Sequence, residues 1–330
     1  MRPLASILIV NYNAGTHLRT CLNALKAQTA PDFEVLILDN ASEDGSIADA
    51  KQAVEDDPRF TFILEDRNHG FAGGNNRAAS RARAHWIITL NPDAFPEPDW
   101  LEQILAATKQ HPDVAMFGST QLDAAQPGLI DGAGDRYFAA GIPWRDQTSD
   151  RLRQCTNGTH NVYDTFSPCA AAAAYRSDAF NAVEGFDERF FCFVEDVDLG
   201  FRLRLRGETC LQVSDAKVLH VGGGAGGGQS DFARYHGTRN LIWCFFKNMP
   251  ILLLLLLLPV HMATLAALAI KALFRGNAGP VLRGMKDGLV GLGAIWWSRR
   301  VSQRAKGAKG NIVGAVDWSP LPYLARRRQR

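Results

Sequence analysis

Short apolar runs alternate with stretches of helical spacing along the first third of the chain. Ser6–Val10 is apolar, short and rich in β-branched residues, as expected of a strand buried on both faces. Leu18–Leu25 carries leucines at a helical interval. Phe33–Leu38 predicts a second strand, Ser46–Val54 a helix, Phe60–Leu64 a third strand, and the small-residue stretch Gly70–Ala84 a helix. Trp86–Leu90, Trp100–Gln110 and Val114–Gly118 then predict strand, helix and strand. This β-α-β-α rhythm predicts an α/β fold with a mainly parallel sheet and helices on both faces.

In such folds ligands bind beyond the carboxyl ends of the strands. Polar clusters fall at those ends: Asn11-Tyr12-Asn13 after the first strand, Asp39-Asn40-Ala41-Ser42 after the second, and Asn91-Pro92-Asp93 after the fourth. Each cluster taken singly reads as well as an ordinary turn with a helix cap. Their repeated placement is what points to a ligand. Gly70-Phe71-Ala72-Gly73-Gly74-Asn75-Asn76 opens the next helical stretch. Its glycines allow close approach of backbone, with amides available to phosphate.

The densest charge pattern lies later. Phe190-Phe191-Cys192-Phe193 leads into Glu195, Asp196 and Asp198, and Arg202, Arg204 and Arg206 follow at alternate positions. Carboxylates this close raise one another's pKa values, so a tuned proton acceptor or a cationic partner is indicated. Helix capping by the same acids is the structural alternative. Val197, Leu199, Phe201, Leu203 and Leu205 alternate strictly, which by periodicity alone predicts a strand.

Composition narrows the picture. The chain has 330 residues, 46% of them hydrophobic, enough for one full-sized core with some left over. Lys+Arg number 36 and Asp+Glu 34, a net charge of +2 that does not fit a nucleic-acid binder. The six cysteines show no C-x-x-C spacing, which fits a reducing compartment without a cysteine metal site. The apolar run Leu4–Val10 is too short for a signal peptide and is better read as the first strand.

Six segments occur in one order: Ser6–Asn13, Leu38-Asp39-Asn40-Ala41-Ser42, Arg67–Asn75, Asn91-Pro92-Asp93-Ala94, Gly185-Phe186-Asp187-Glu188, and Glu195-Asp196-Val197-Asp198-Leu199. The series resembles the inverting family-two glycosyltransferases of GT-A fold, in particular their rhamnosyltransferase-like branch, from about Ser6 to Lys247. The resemblance implies a Rossmann-like GT-A domain over residues 1–248 that uses a dTDP- or UDP-sugar donor. It makes Asp39 a contact to the donor's base or ribose, with Asn11, Asn13 and Arg67 lining the same pocket. Gly73, Asn75 and Asn91 fall in its nucleotide-sugar segments, and Arg239 in a later helix over Asp231–Lys247 would reach the diphosphate. The family's Asp-x-Asp metal element is Asn91-Pro92-Asp93 here, so only the last acid is present. Asp93, with His220, would hold Mg²⁺ or Mn²⁺, substrate phosphates and water supplying the remaining ligands. Asp196 matches the catalytic base, with Glu195 beside it as modulator or hydroxyl holder, and the segment is read as a helix on the resemblance alone. The glycine-rich stretch Gly222–Gly228 is expected to be a flap over the donor.

Residues 249–330 change character. Ile251–Ile270 carries no formal charge and as a helix would be about 30 Å long, enough to cross a bilayer. Pro259 and His261 interrupt it, and nearly every charge from Arg275 to Arg330 is basic. Basic segments stay in the cytoplasm, where nucleotide-sugars are made, so a single crossing would leave the tail on the wrong side. A monotopic or re-entrant helical tail on the cytoplasmic face of a bacterial inner membrane satisfies both constraints, with Trp296 and Trp297 as interfacial anchors. Helices packed on the catalytic domain, or a homodimer interface, are the soluble alternative. The whole predicts an enzyme moving a sugar, with rhamnose from dTDP-rhamnose leading, onto a lipid-linked or surface glycan. A nucleotidyltransferase would want an Arg/Lys-bearing glycine loop after the first strand, which Asn13–Leu18 lacks. An inactive sugar-nucleotide-binding scaffold would have no use for Glu195-Asp196.

Overall fold

A computed structural model describes residues 2–147, 161–222, 230–303, 310–319 and 321. β1 (Ala5–Asn11), β2 (Phe33–Asp39), β3 (Phe60–Leu64) and β4 (Trp86–Leu90) form the parallel half of a sheet, in the order β4-β1-β2-β3. Helices Thr16–Lys26, Ser46–Ala53 and Gly70–Ala79 connect them, and Trp100–Gln110 follows. On the other side of β4 the sheet becomes mixed. The antiparallel β6 (Ala172–Arg176) separates β4 from β5 (Met116–Asp123), which pairs in parallel with β7 (Cys210–His220). The expected α/β sheet, parallel in its major part with helices on both faces, is therefore the observed one.

The alternation of the strands explains the layering. Ile7 and Ile9 join Leu18, Leu22 and Trp100 in one apolar cluster, whereas Leu8 and Val10 join Ala72, Ala78 and Leu203 in another on the opposite face. A third cluster unites Tyr137, Phe166, Val197 and Phe201 with Trp243, Phe245, Leu254, Leu257 and Ile295. It lies between the sheet-bearing half and the C-terminal helices Asp231–Asn248, Ile251–Phe274, Ala278–Val290 and Leu292–Gln303.

One expectation is corrected: the helix beginning at Gly70 stops at Ala79 rather than Ala84. The stretch from Thr120 contains strands Ile130–Gly132, Asp135–Phe138, Ile142–Arg145 and Val162–Asp164, too short for their alternation to register. The helix expected from the resemblance at Glu195 is observed, Glu195–Leu205, and the strand periodicity of Val197–Leu205 is misleading. That helix is buried on nearly every side, so its arginines face the interior rather than solvent: Arg202 donates to the carbonyls of Val183 and Gly185, and Arg204 to those of Thr165 and Phe166. Of the expected glycine-rich flap, residues 223–228 lie outside the described residues.

Candidate functional site

The parallel strands set out the polar row. Asn11 and Asp39 end β1 and β2 and stand opposite one another in register. The buried Asn11 amide donates to Asp39 Oδ1 (2.8 Å), Ser42 Oγ (2.9 Å) and Ser46 Oγ (2.9 Å), while its own Oδ1 has no hydrogen-bond partner. Asn13 takes a left-handed backbone, φ 51°, and its side-chain oxygen accepts from the Glu43 amide at 2.9 Å. Arg67 is exposed in the loop beyond β3. Asn91 and Asp93 follow β4. Gly73 and Asn75 are buried in the helix behind this row. Asn75 donates to the Phe71 carbonyl at 3.0 Å and leaves its buried Oδ1 unpaired.

Asp93 meets His220 at the end of β7, Oδ1 to Nε2 3.6 Å, both side chains buried. The other imidazole nitrogen, Nδ1, lies 2.8 Å from Asp131 Oδ2, which also receives Arg145 Nη1 at 2.9 Å. Burial alone would lower the His220 pKa, but its hydrogen bonds to Asp131 and Asp93 raise it. One carboxylate oxygen and one imidazole nitrogen at this separation fit a shared divalent cation, and the carboxylate behind the histidine fixes its ring as metal-binding histidines require. Asp135, Cys169 and Asp196 also bring ligand atoms within 4.8 Å of one another. There the cation is already supplied by the protein: Arg145 Nη2 donates to Cys169 Sγ at 2.9 Å.

Glu195 and Asp196 begin their helix at its positive end. Asp196 Oδ2 accepts from the Ala170 amide at 3.1 Å and Oδ1 from the Val197 amide at 2.8 Å. Burial raises its pKa against the opposing pull of these amides and of Arg145. Burial, then the Asp196 charge, push Glu195 much further up, and its Oε2 has no hydrogen-bond partner. The third acid of the cluster is separate. Asp198 points into the core and accepts from Arg202 Nε (2.8 Å), Lys247 Nζ (2.8 Å) and Asn248 Nδ2 (2.7 Å).

The loop entering this helix is strained. Phe191, Phe193 and Val194 have φ of 65°, 69° and 67°, a region that costs non-glycine residues about 1–3 kcal/mol each. Gly70, φ 73°, faces the Phe191 carbonyl and ring, where a Cβ would collide. Arg239 lies in the helix Asp231–Asn248. Its guanidinium donates to the Arg189 (3.1 Å) and Phe190 (2.9 Å) carbonyls and lies over the Trp243 ring.

Sequence reasoning missed Asp131 and Arg145, which sit in the short strands Ile130–Gly132 and Ile142–Arg145, where three or four residues give local patterning nothing to register.

The comparisons with known proteins agree with this geometry. The family model for glycosyl transferase family 2 matches residues 6–176. An N-acetylglucosaminyl-diphospho-decaprenol L-rhamnosyltransferase of Mycobacterium tuberculosis is 28% identical over 240 residues, 67% of this chain and 76% of that protein. A mannosyltransferase of Pyrobaculum calidifontis, solved with GDP-Man and Mn²⁺, superposes with a TM-score of 0.55 at 17% identity, covering 92% of this chain and 87% of that one. The solved structure of GalNAc-T7 with UDP, GalNAc and Mn²⁺ gives 0.56 at 14% identity, over 66% of this chain and 42% of that one. A family match over more than half the chain, on a GT-A sheet with its polar row intact, makes this protein a glycosyltransferase of family 2.

Proposed function

We propose that the enzyme transfers a sugar with inversion from a nucleotide-sugar, dTDP-rhamnose being the leading donor, to a lipid-linked or surface glycan. The observation that carries this reading is the Asp196 carboxylate, oriented by two backbone amides and raised in pKa beside a still more strongly raised Glu195. A base works best when its pKa approaches the working pH. Asp196 takes the proton of the acceptor hydroxyl as that oxygen bonds to the anomeric carbon. The bond from that carbon to the donor phosphate breaks, and the nucleotide leaves with the electron pair. Burial and the Asp196 charge disfavour the ionised form of Glu195, which limits its competing charge. Asp39 and Asn11 bind the nucleoside. Asp93 and His220 would hold Mg²⁺ or Mn²⁺, which neutralises the departing diphosphate. The relative's printed name supports L-rhamnose and a polyprenyl-linked acceptor.

The tail, residues 249–330, serves membrane association in this reading. Helix Ile251–Phe274 is long and apolar enough to cross a bilayer, yet Leu254, Leu257, His261 and Leu265 are buried against the protein. His261 stacks on Phe245, ring centroids 4.0 Å apart, and its Nδ1 lies 2.8 Å from the Ala140 carbonyl oxygen. Gly141, φ 87°, faces this ring with no room for a Cβ. An anchor at mid-helix supports a helix lying on the cytoplasmic surface, with Leu252, Leu255 and Leu256 turned outward.

The test is direct. A panel of nucleotide-sugars with Mg²⁺ is screened for thermal stabilisation, and the best donor is used to assay Asp196→Asn. Donor binding should persist while transfer falls on the order of 10²–10⁴-fold. Transfer within tenfold of wild type would remove Asp196 from the role.

A further inference from the structure

The turn that carries Phe191, Phe193 and Val194 in left-handed backbone has local hydrogen bonds from the Phe191 amide to Glu188 O (3.1 Å) and from the Cys192 amide to Phe190 O (2.7 Å). Its four consecutive carbonyls are also engaged from outside the turn. Phe191 O accepts from the Ala72 amide at 3.1 Å. The other three converge on one side chain. Asn240 Nδ2 donates to Phe190 O (2.9 Å), Cys192 O (2.9 Å) and Phe193 O (2.7 Å), and Asn240 is fully buried. Its Oδ1 in turn accepts from Arg239 Nε at 2.9 Å. The side chain therefore has one orientation, set by a neighbour that also grips the Arg189 and Phe190 carbonyls.

We propose that Asn240 is a positioning residue for transfer, whose amide gathers the carbonyls of Phe190, Cys192 and Phe193 and so fixes the turn that delivers Asp196. Carbonyl oxygens pointing at one spot repel one another, and the two amide hydrogens are shared among the three, Phe190 O also accepting from Arg239 Nη2 and the Cys192 amide. A buried ammonium would bring an unpaired charge, whereas a primary amide brings none. The clamp sits on helix Asp231–Asn248, far along the chain from the residue it positions. The expected effect follows from distance: a displacement of about 1 Å at a reacting group costs on the order of 10²-fold in rate. The inference rests on the reading of Asp196 as base.

The experiment measures kcat, donor KM and melting temperature for Asn240→Ala, Asp196→Asn and the double variant, in full-length protein with the donor found by thermal screening. Asn240→Ala should lower kcat about 10²-fold with donor KM within threefold. In the Asp196→Asn background the same change should cost less than about threefold, because residues acting through one group are not additive. A folded Asn240→Ala with kcat within threefold of wild type overturns the proposal. So does a loss appearing in KM alone, or one that recurs in full without the Asp196 carboxylate. If Asn240→Ala does not fold, Asn240→Ser keeps one donor and is read the same way. Failure of both to fold assigns the residue to stability alone and also overturns it. If Asp196→Asn itself keeps transfer within tenfold, the reading of the base fails, and that failure is seen independently of Asn240.

Discussion

Asp198 and Lys247 make a prediction whose size can be worked from their partners. Lys247 Nζ lies 2.6 Å from Asp187 Oδ2 and 2.8 Å from Asp198 Oδ2, with the lysine and Asp198 side chains 3% and 0% exposed. Arg202 and Asn248 complete the contacts of Asp198, and Arg189 pairs with Asp187. Two acids thus face three cations. Lys247→Met removes one cation and leaves each acid an arginine, so the loss is that of two charge-assisted hydrogen bonds offset by the relieved burial of the ammonium, about 1–3 kcal/mol. Asp198→Asn instead leaves three cations against one carboxylate in a dry interior, and should cost about 3–5 kcal/mol. Urea unfolding of the detergent-solubilised protein, read at constant m-value, gives both numbers. The order of the two is the sharper criterion. If Asp198→Asn is the milder change, or costs less than about 1 kcal/mol, the charge count is wrong. Acid adds a second arm. Burial opposes ionisation of Asp187, but Arg189 and Lys247 outweigh it and hold its pKa well below the usual carboxylate range. A depressed folded-state pKa contributes stability that is present above the unfolded value near about 3.9 and lost as pH falls below it. Lys247→Met should therefore lose less of its remaining stability than wild type between about pH 4 and pH 2.

Two further outcomes follow from the site and the tail. Asp93→Ala should weaken nucleotide-sugar binding as well as turnover, and His220→Ala should do the same more mildly, measured by calorimetry with Mn²⁺ present; full activity in excess EDTA would recast Asp93 as a hydrogen-bonding residue. Replacing Leu252, Leu255 and Leu256 together by Glu should weaken flotation with anionic vesicles by more than about 100-fold, at about 1.5–3 kcal/mol of lost burial per leucine, and leave the melting temperature within a few degrees; unchanged flotation would place the membrane contact elsewhere.

The sheet was legible because its central strands are buried on both faces, its strands are apolar and short, and the first helix is spaced by leucine. Ser6–Val10, Phe60–Leu64 and Trp86–Leu90 declare themselves by composition alone. Where burial surrounds an element, periodicity stops reporting. Val197–Leu205 alternates like a strand because its arginines find carbonyl acceptors inside the protein, a fact no local window contains. The same holds for the acids at 195, 196 and 198. Sequence groups them, but only packing sends Asp198 to Lys247 and leaves Glu195 without a partner at Oε2. Asp131 and Arg145 were invisible for a different reason: they meet His220 and Cys169 through strands of three and four residues.

The third apolar cluster bears on how the protein can be divided. Phe245 and Met249 on one side, and Leu254, Leu257 and Ile295 on the other, share one interior. A chain cut after Lys247 would not shed an appendage; it would open a wall of the molecule and leave Phe245 facing water. The junction that looks clean as text runs through a joint interior. Solubility is therefore better sought by recolouring the outward leucines than by shortening the gene.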